Sequence, residues 1–435
     1  MPAAYYGATT VSDPKVVVAG AGFAGLAAAV HLRDLGVAVE IIEARDRLGG
    51  RTWTRPFGDG GPRVEYGGTW FMPEHRRVAR ELERAGSPVR DHVPSAWRWR
   101  TGDKIRYGLP VDRDEWPNLE AALRRLVSDA GALVGGATDA GSLSFAGYLE
   151  RLDTTSSVRD FLLGWWAVTG GSEPSHGAAI DGLAAIADHG GLLGVPDTLR
   201  RSPALGWAAI AESMADHAQA PVRYETELLA VDFAESVTLE CSDGLRVTAD
   251  AVVLALPLNT LDRIRFAPAL PERLRASFGK NRGRALKMWL RTRGVPPASL
   301  AAGRGRGLDL LLADRAVDGD QLLVAFGPAT TRFDPTDGRD VQAALQAFYP
   351  EAELIAFDSH DWNADPFSRG TWATSPVDDI DALSHRRFAP VGRVAFASSD
   401  FAPEAGGWIE GALAAGEAAA AAISETLTVR AGRAP

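Results

Sequence analysis

One stretch near the N-terminus, residues 15–51, limits the possible folds more than any other part of the chain. It opens with Lys15–Ala19, a valine-rich run of the length expected for a strand buried on both faces of a sheet. A glycine-rich turn follows, and then a helix predicted over residues 24–35. A second strand is predicted over residues 38–42 and leads directly into Glu43. This order of elements predicts a βαβ unit with two parallel strands.

The turn of this unit carries three glycines in G-x-G-x-x-G spacing, and each has its own physical role. Gly20 permits the tight turn, Gly22 lets the backbone approach a pyrophosphate, and Gly25 lets the helix pack against the strand. The helix N-terminus offers N–H groups to the anion, and Glu43 can accept a hydrogen bond from a ribose 2′-OH. We therefore predict a dinucleotide site, with a purely structural βαβ unit as the alternative. The acid alone does not separate NAD from FAD.

The residues that follow Glu43, ARDRLGGRT at 44–52, continue the pattern. This continuation resembles the extended FAD fingerprint of the flavin-containing amine oxidases, in which the double glycine and the next arginine lie along the cofactor's diphosphate. The resemblance covers nearly the whole chain and is weakest at residues 90–200. It implies FAD as the cofactor, with contacts in this region from Gly20, Gly22, Phe23, Ala24, Gly25, Glu43, Ala44, Arg45, Gly50 and Arg51.

The same resemblance implies an α/β fold, mixed α+β in detail, of amine oxidase type. In it a Rossmann-like FAD-binding domain is interleaved with a second, substrate-binding domain. A chain of 435 residues is long enough for two domains with substantial cores. We assign the FAD-binding domain to residues 13–87, 201–276 and 384–430. The substrate-binding domain takes residues 88–200 and 277–383.

Composition argues against several other classes of protein. The formal charge of −10 disfavours nucleic-acid binding, which favours a basic surface. Cys241 is the only cysteine, which rules out an intrachain disulfide, and the eight histidines are scattered, so we predict no metal site. No signal peptide or membrane span is evident, and we expect a cytoplasmic protein. Residues 1–12 are expected to be disordered or extended.

Lys287 is a candidate catalytic residue outside the βαβ unit. It lies in a predicted strand over residues 284–290, and alternation places it on one face with Ala285 and Trp289. Only four of the 46 basic residues are lysines, so a small ammonium here suggests a site where a guanidinium would not fit. A lysine that snorkels to the surface is the ordinary alternative. The resemblance implies instead the family lysine that reaches flavin N5 through a water and is thought to assist reoxidation by oxygen.

Two tryptophans in the C-terminal quarter are candidates for the substrate site. Residues 361–372 are similar to the family segment that passes the flavin edge, and residues 400–412 are similar to the family's C-terminal signature. Trp372 and Trp408 then match the aromatic pair that flanks the amine, where two indoles can stabilise developing positive charge. Because the chain has 12 tryptophans, two core aromatics are the alternative. Thr371 stands where members with covalent flavin carry a cysteine, so we predict FAD held without a covalent bond.

Further site residues are implied around a second glycine pair. Gly67 and Gly68 match a pair that lets the chain pass close to the isoalloxazine ring, and Trp70 would line the substrate cavity. Glu65 is expected to be a strand-end residue with a satisfied carboxylate, with a polar contact to substrate as the second interpretation. Ser398 stands where the family usually has glycine, and an aspartate two residues later replaces the usual glutamate. The remaining cofactor contacts implied are Thr69, Val222, Asp400 and Ile409.

These features predict an enzyme that oxidises an amine to an imine, with oxygen as electron acceptor and hydrogen peroxide as product. A neutral amine would lie between the two indoles with its α-carbon facing flavin N5. Two alternatives stay open from the sequence. One is a flavoenzyme of the same fold that oxidises or desaturates an amide, an amino acid or a biosynthetic intermediate. The other is a catalytically silent FAD-binding protein. A homodimer is common among such proteins.

Overall fold

In the computed structural model of this chain, residues 15–134, 140–330 and 332–431 are described, so the N-terminal stretch expected to be disordered lies outside them. The strands over the described residues, in chain order, are Lys15–Ala19 (β1), Ala38–Ile42 (β2), Thr54–Pro56 (β3), Arg63–Glu65 (β4), Val89–Asp91 (β5), Ala96–Thr101 (β6), Lys104–Tyr107 (β7), Arg201–Pro203 (β8), Val222–Arg223 (β9), Leu228–Asp232 (β10), Val237–Cys241 (β11), Arg246–Ala249 (β12), Ala251–Leu254 (β13), Arg265–Ala267 (β14), Ala285–Arg293 (β15), Ser299–Gly303 (β16), Leu310–Val317 (β17), Asp320–Pro328 (β18), Glu353–Ser359 (β19) and Val394–Phe396 (β20). The α-helices are Phe23–Asp34 (α1), Arg76–Arg84 (α2), Trp116–Val134 (α3), Phe145–Glu150 (α4), Ser156–Thr169 (α5), Ala179–Asp188 (α6), Trp207–Ala218 (α7), Glu272–Arg275 (α8), Gly338–Gln346 (α9) and Ile409–Ala431 (α10).

A five-stranded sheet in the order β20-β13-β1-β2-β9 organises the fold, and all its neighbouring strands are parallel. The strands predicted over residues 15–19 and 38–42 have those bounds, and α1 begins and ends one residue before the prediction. Val16 and Val18 pack against helices α1, α7 and α10, whereas Val17 packs on the opposite side. Both faces of the sheet are therefore covered, which explains the unbroken apolar run in β1. The α/β class predicted from the sequence is confirmed.

A four-stranded sheet in the order β12-β11-β10-β14 covers the second face of the parallel sheet. Strands β10 to β12 are antiparallel, and β14 joins β10 in parallel. Val17 and Cys241 share one apolar cluster between the two sheets, and Cys241 is buried there. This position explains why the cysteine behaves as a small core residue, with the pKa of its thiol raised to about 11 by burial.

The third sheet has seven strands in the order β19-β15-β18-β17-β16-β6-β7 and carries the candidate lysine on β15. Leu286, Met288 and Leu290 pack in one core cluster, while Trp289 belongs to another cluster on the opposite face. The alternation predicted for this strand is confirmed, and it turns Lys287 towards the face of Trp289. Helices α3 to α6 form a separate core beside this sheet.

None of the helices over the described residues is long and apolar enough to cross a membrane. Within the same ranges, no group of three or more histidine, cysteine, aspartate or glutamate side chains is arranged to hold a metal ion.

Candidate active site

A cavity of about 540 Å³ begins at the carboxyl edge of the parallel sheet. Its wall includes residues at or just after the ends of β1, β2, β13 and β20, namely Ala19, Ile42, Ala255 and Ala397. In open α/β sheets, ligands bind outside this edge. From there the cavity passes the loop after β2 and reaches Lys287, Trp372 and Trp408. One continuous space therefore joins the predicted dinucleotide turn to the predicted substrate residues.

The glycine turn at the start of the cavity has the packing that its spacing predicts. Gly20 adopts φ +102°, and a Cβ there would lie 2.5 Å from the Ala255 carbonyl oxygen. A Cβ on Gly25 would lie 1.9 Å from the Gly20 carbonyl oxygen, so only glycine lets α1 pack against the turn. Gly22 is the N-cap of α1 and makes no side-chain cap hydrogen bond. The first N–H groups of α1 are left to bind an anion in the cavity.

Glu43, the residue directly after β2, stabilises this turn through hydrogen bonds to its carboxylate. One carboxylate oxygen accepts from the Ala21 N–H at 2.7 Å, and the other accepts from the Arg45 N–H at 2.9 Å. The side chain lines the cavity, and each oxygen retains a lone pair for a ribose hydroxyl. Arg45 lies beside it and forms an ion pair with Asp365 at 2.6 Å.

Arg51 lies in the cavity wall, and hydrogen bonds to residues in the C-terminal part of the chain hold its side chain in place. Its guanidinium donates at 2.6 Å to Asp400 and at 2.6 Å to the Thr371 carbonyl oxygen. The second Asp400 oxygen accepts from the Leu258 N–H at 2.8 Å, so this buried carboxylate is bonded on both sides. The aspartate that departs from the family pattern thus still supplies a carboxylate, and it serves to position Arg51.

The second glycine pair brings the backbone of residues 67–69 to the cavity wall. A Cβ on Gly67 would lie 1.9 Å from the Arg51 carbonyl oxygen, so no side chain fits at this crossing. The ammonium of Lys287 donates to the Gly67 carbonyl oxygen at 2.7 Å and also to the Thr69 hydroxyl. The lysine is therefore 6% exposed and fixed at the cavity wall, which contradicts the surface-snorkelling alternative.

The surroundings of Lys287 are apolar enough to change its protonation. Its Nζ lies 5.3 Å from the centroid of the Trp70 ring and 5.6 Å from that of Phe326. Burial lowers the pKa of Lys287 from 10.5 to about 7, while the charge of Glu65 opposes the shift. Near neutral pH this side chain can therefore carry or release a proton within the cavity.

Trp372 and Trp408 both line the part of the cavity beyond Lys287. The Trp372 indole N–H donates to the Thr169 carbonyl oxygen at 3.1 Å, which fixes the plane of that ring. A Cβ on Gly407, the residue before Trp408, would lie 3.5 Å from the Trp372 Cβ, so the two chain segments are close. The Trp408 ring is met edge-on by His75 and His189, with centroid distances of 5.3 Å and 6.2 Å. Neither indole is confined to the core.

Glu65 lies at the end of β4, as predicted, but it does not line the cavity. One carboxyl oxygen accepts from the Thr54 hydroxyl at 2.6 Å and from the Trp207 N–H at 2.8 Å. The other oxygen, Oε2, is buried and has no partner, so the carboxylate is only half satisfied. Burial raises the pKa of Glu65, since the charged form has no water to solvate it.

Most of the predicted site residues lie on the wall of this one cavity. Those that do so are Gly20, Gly22, Phe23, Ala24, Glu43, Ala44, Arg45, Gly50, Arg51, Gly67, Gly68, Thr69, Trp70, Lys287, Trp372, Asp400, Trp408 and Ile409. Gly25, Val222 and Glu65 do not line this cavity. Val222 pairs with Ile41 at the edge of the parallel sheet, and its predicted adenine contact stays a prediction.

One wall of the cavity was not predicted, and it belongs to helix α6. The residues that face the cavity are Asp181, Ala184, Ala185, Asp188 and the C-cap residue His189. The opposite stripe of the helix, Ala179, Gly182, Leu183 and Ile186, is buried in the helical core. Within each stripe, the residues recur every three or four positions along the helix. That period could have revealed a two-faced helix, but it carries no signal that one face lines a cavity.

Comparison with known proteins identifies the family. The profile described as flavin containing amine oxidoreductase matches residues 23–424, which is most of the chain. The protein belongs to this family of enzymes, and a flavin is therefore its cofactor. The geometry agrees, because the cavity combines a glycine turn and the first N–H groups of α1 with a half-buried arginine and a space lined by aromatic rings.

Particular relatives extend this comparison. The chain is 32% identical to (S)-6-hydroxynicotine oxidase of Paenarthrobacter nicotinovorans over 94% of its own length and 98% of that enzyme. It is 27% identical to a pseudooxynicotine dehydrogenase of a Pseudomonas species, over 93% of its own length and 85% of the relative. The solved cyclohexylamine oxidase of Brevibacterium oxydans shares the fold, with a TM-score of 0.84, 23% identity and coverage of 96% of this chain and 100% of that one.

Proposed function

We propose that this enzyme oxidises an amine to an imine with non-covalently bound FAD, using oxygen as acceptor and releasing hydrogen peroxide. Amine oxidation follows from the family, and the finer statements are inferred from the site. The observation that carries them is the single cavity that joins the glycine turn at Gly20 to Lys287 and the indoles of Trp372 and Trp408.

Each part of the cavity has a role in this proposal. FAD, when bound, supplies the redox chemistry by accepting a hydride equivalent from the amine and passing electrons to oxygen. The N–H groups of α1 and the guanidinium of Arg51 would hold the diphosphate, while Asp400 keeps the guanidinium in place. The missing side chains at Gly67 and Gly68 leave room for the ring system. Trp372 and Trp408 would orient the amine and stabilise positive charge that develops at nitrogen.

The proposal that FAD is not covalently bound rests on two side chains. A threonine hydroxyl cannot form a thioether, and the Thr371 Oγ1 already accepts a hydrogen bond from the Ala285 N–H at 3.1 Å. The sole cysteine, Cys241, is buried between the five-stranded and the four-stranded sheets and does not line the cavity.

We propose oxygen as the electron acceptor because the buried side chain of Lys287 lines the cavity. Relatives of this chain include both oxidases and dehydrogenases, so the family alone does not assign oxygen. A buried ammonium at the cavity wall would stabilise negative charge that forms as oxygen is reduced, because its charge is little screened there. This reasoning favours an oxidase.

We infer two interleaved domains with the boundaries given above, and the three parts of the chain that supply the parallel sheet support the division. We further infer a homodimer in a reducing compartment such as the cytoplasm, which fits the single buried cysteine.

The test uses the yellow holoenzyme and a panel of primary, secondary and cyclic amines. Anaerobic addition of a substrate should bleach the flavin band, and admission of air should restore it with one hydrogen peroxide for each imine formed. Restoration by an artificial acceptor but not by oxygen would instead identify a dehydrogenase. Bleaching by amides or unsaturated precursors, with no response to any amine, would favour a different reaction in the same fold. An unchanged spectrum throughout would indicate a binding protein.

A further inference from the structure

Helix α6 forms part of the wall of the cavity that both indoles line, and its two ends contact the segments that carry them. At its N-terminal end, Asp181 accepts from the N–H and the hydroxyl of Ser375 at 2.6 Å and 2.8 Å. Ser375 follows Trp372 by three residues. At its C-terminal end, the His189 ring lies 6.2 Å from the ring of Trp408. The helix therefore contacts the loop that carries Trp372 at one end and the ring of Trp408 at the other.

The stripe that faces the cavity differs chemically along its length. His189 follows Asp181 by eight positions, which corresponds to about 12 Å along a helix. The middle of the stripe is Ala184 and Ala185, whose methyl side chains leave the most room of any side chain but glycine. Asp188 is exposed, which places the C-terminal end of the stripe at the mouth of the cavity. The wall therefore has an apolar, spacious middle and a polar outer end.

Two partly buried polar residues of the stripe, Asp181 and His189, differ in the contacts that they make. Each oxygen of Asp181 accepts one hydrogen bond from Ser375, so this carboxylate ties the N-terminal end of α6 to the loop that carries Trp372. His189 is partly buried, and burial lowers the pKa of its imidazole, with the nearby charges of Asp188 and Glu74 acting in the opposite direction. A neutral imidazole offers one donor and one acceptor to a ligand.

We propose that the cavity face of α6 selects the substrate. Ala184 and Ala185 admit an apolar ring on the amine, and His189 hydrogen-bonds a neutral polar group at the far end of that ring. The substrate class is therefore a cyclic or aromatic amine with a distal hydroxyl, carbonyl or ring nitrogen. The inference rests on the proposed function only in taking the ligand to be an amine.

The test measures binding of amines that have no hydrogen on the α-carbon and so cannot be oxidised. Cumylamine carries a ring, tert-butylamine lacks one, and the para-hydroxy derivative of cumylamine adds the distal polar group. Calorimetry on the holoenzyme should show cumylamine binding at least about 10-fold tighter than tert-butylamine, because burial of the ring is favourable. The hydroxyl should add a further gain of about 5-fold, which is the worth of one net hydrogen bond.

Two variants with matched controls separate the parts of the proposal. Ala185→Leu should remove most of the preference for cumylamine while changing tert-butylamine affinity less than about 3-fold, and the exposed Ala79→Leu should change neither. His189→Ala should abolish only the gain from the hydroxyl, and the exposed His176→Ala should preserve it. Flavin content and thermal midpoint confirm that each variant is folded.

Specific outcomes would overturn the proposal. These are a wild-type enzyme with no preference for the ring, an equal loss for both amines in Ala185→Leu, or an intact hydroxyl gain in His189→Ala. The proposed function can fail separately. If the binding pattern holds but no amine of the oxidation panel bleaches the flavin anaerobically, the α6 assignment stands and the amine oxidase reaction does not.

Discussion

Replacement of Lys287 by methionine tests the central electrostatic feature of the site. The lysine is buried among aromatic rings and donates to the Gly67 carbonyl oxygen and the Thr69 hydroxyl, and burial lowers its pKa to about 7. Methionine keeps an unbranched apolar stem that is one atom shorter than lysine, and it has no charge at any pH. If the ammonium assists electron transfer to oxygen, the rate of flavin reoxidation in wild type must follow the charged fraction of this one side chain.

The size of the effect follows from the pKa. With a value of about 7, roughly 90% of the lysine is charged at pH 6 and roughly 10% at pH 8, so reoxidation should slow about 10-fold over this range. The sign is set by the charged form, which is lost as the pH rises. Lys287→Met should be slow and independent of pH from 6 to 8. Lys104→Met removes a lysine whose side chain is 68% exposed, and it should behave as wild type.

The assay is stopped-flow mixing of dithionite-reduced holoenzyme with oxygenated buffer, followed at the flavin band. Dithionite supplies the electrons, so the result does not depend on identifying the natural amine. The reasoning is refuted if Lys287→Met retains the wild-type inflection, since another group would then control the rate. It is equally refuted if wild type shows no inflection between pH 6 and 8.

Three further predictions concern other parts of the cavity and the stability of the fold. Trp408→Ala should lower kcat/KM for amines about 30-fold, because a desolvated cation–π contact contributes about 2 kcal/mol, whereas the 47% exposed Trp116→Ala should not. Acid precipitation should leave a colourless pellet and release all flavin to the supernatant, and a yellow pellet would contradict non-covalent binding. The free energy of unfolding should rise with pH between about 7 and 10.5 and do so less in Lys287→Met, because over this range the unfolded lysine binds a proton that the folded one has lost. A denaturant series across these pH values measures the slope.

The parts of the site that could be predicted are those with strong local patterns. The βαβ unit was placed almost to the residue because its strand, glycines and terminal acid are consecutive, and local sterics decide each of them. A Cβ on Gly25 would collide with the Gly20 carbonyl at 1.9 Å, and this short-range constraint is visible in the spacing itself. Alternation likewise placed Lys287 on the correct face of β15.

The parts that could not be predicted depend on contacts between distant segments. Helix α6 becomes a cavity wall because Asp181 bonds to Ser375, 194 positions away, and nothing in either segment encodes that pairing. Glu65 shows a different limit. Its place at a strand end was predictable, but the buried Oε2 without a partner follows from how Thr54 and the Trp207 N–H approach the other oxygen.

The choice of lysine at position 287, in a chain whose basic residues are nearly all arginine, has a physical explanation in the structure. An ammonium has three N–H donors, and the Gly67 carbonyl oxygen and the Thr69 hydroxyl accept two of them. The third donor remains for a water or ligand in the cavity that Lys287 lines. A guanidinium would bring five donors and a fixed charge into the same apolar space, where unpaired donors and an uncompensated charge are both costly. Lysine is the basic side chain that can bond fully here and still change its charge near neutral pH.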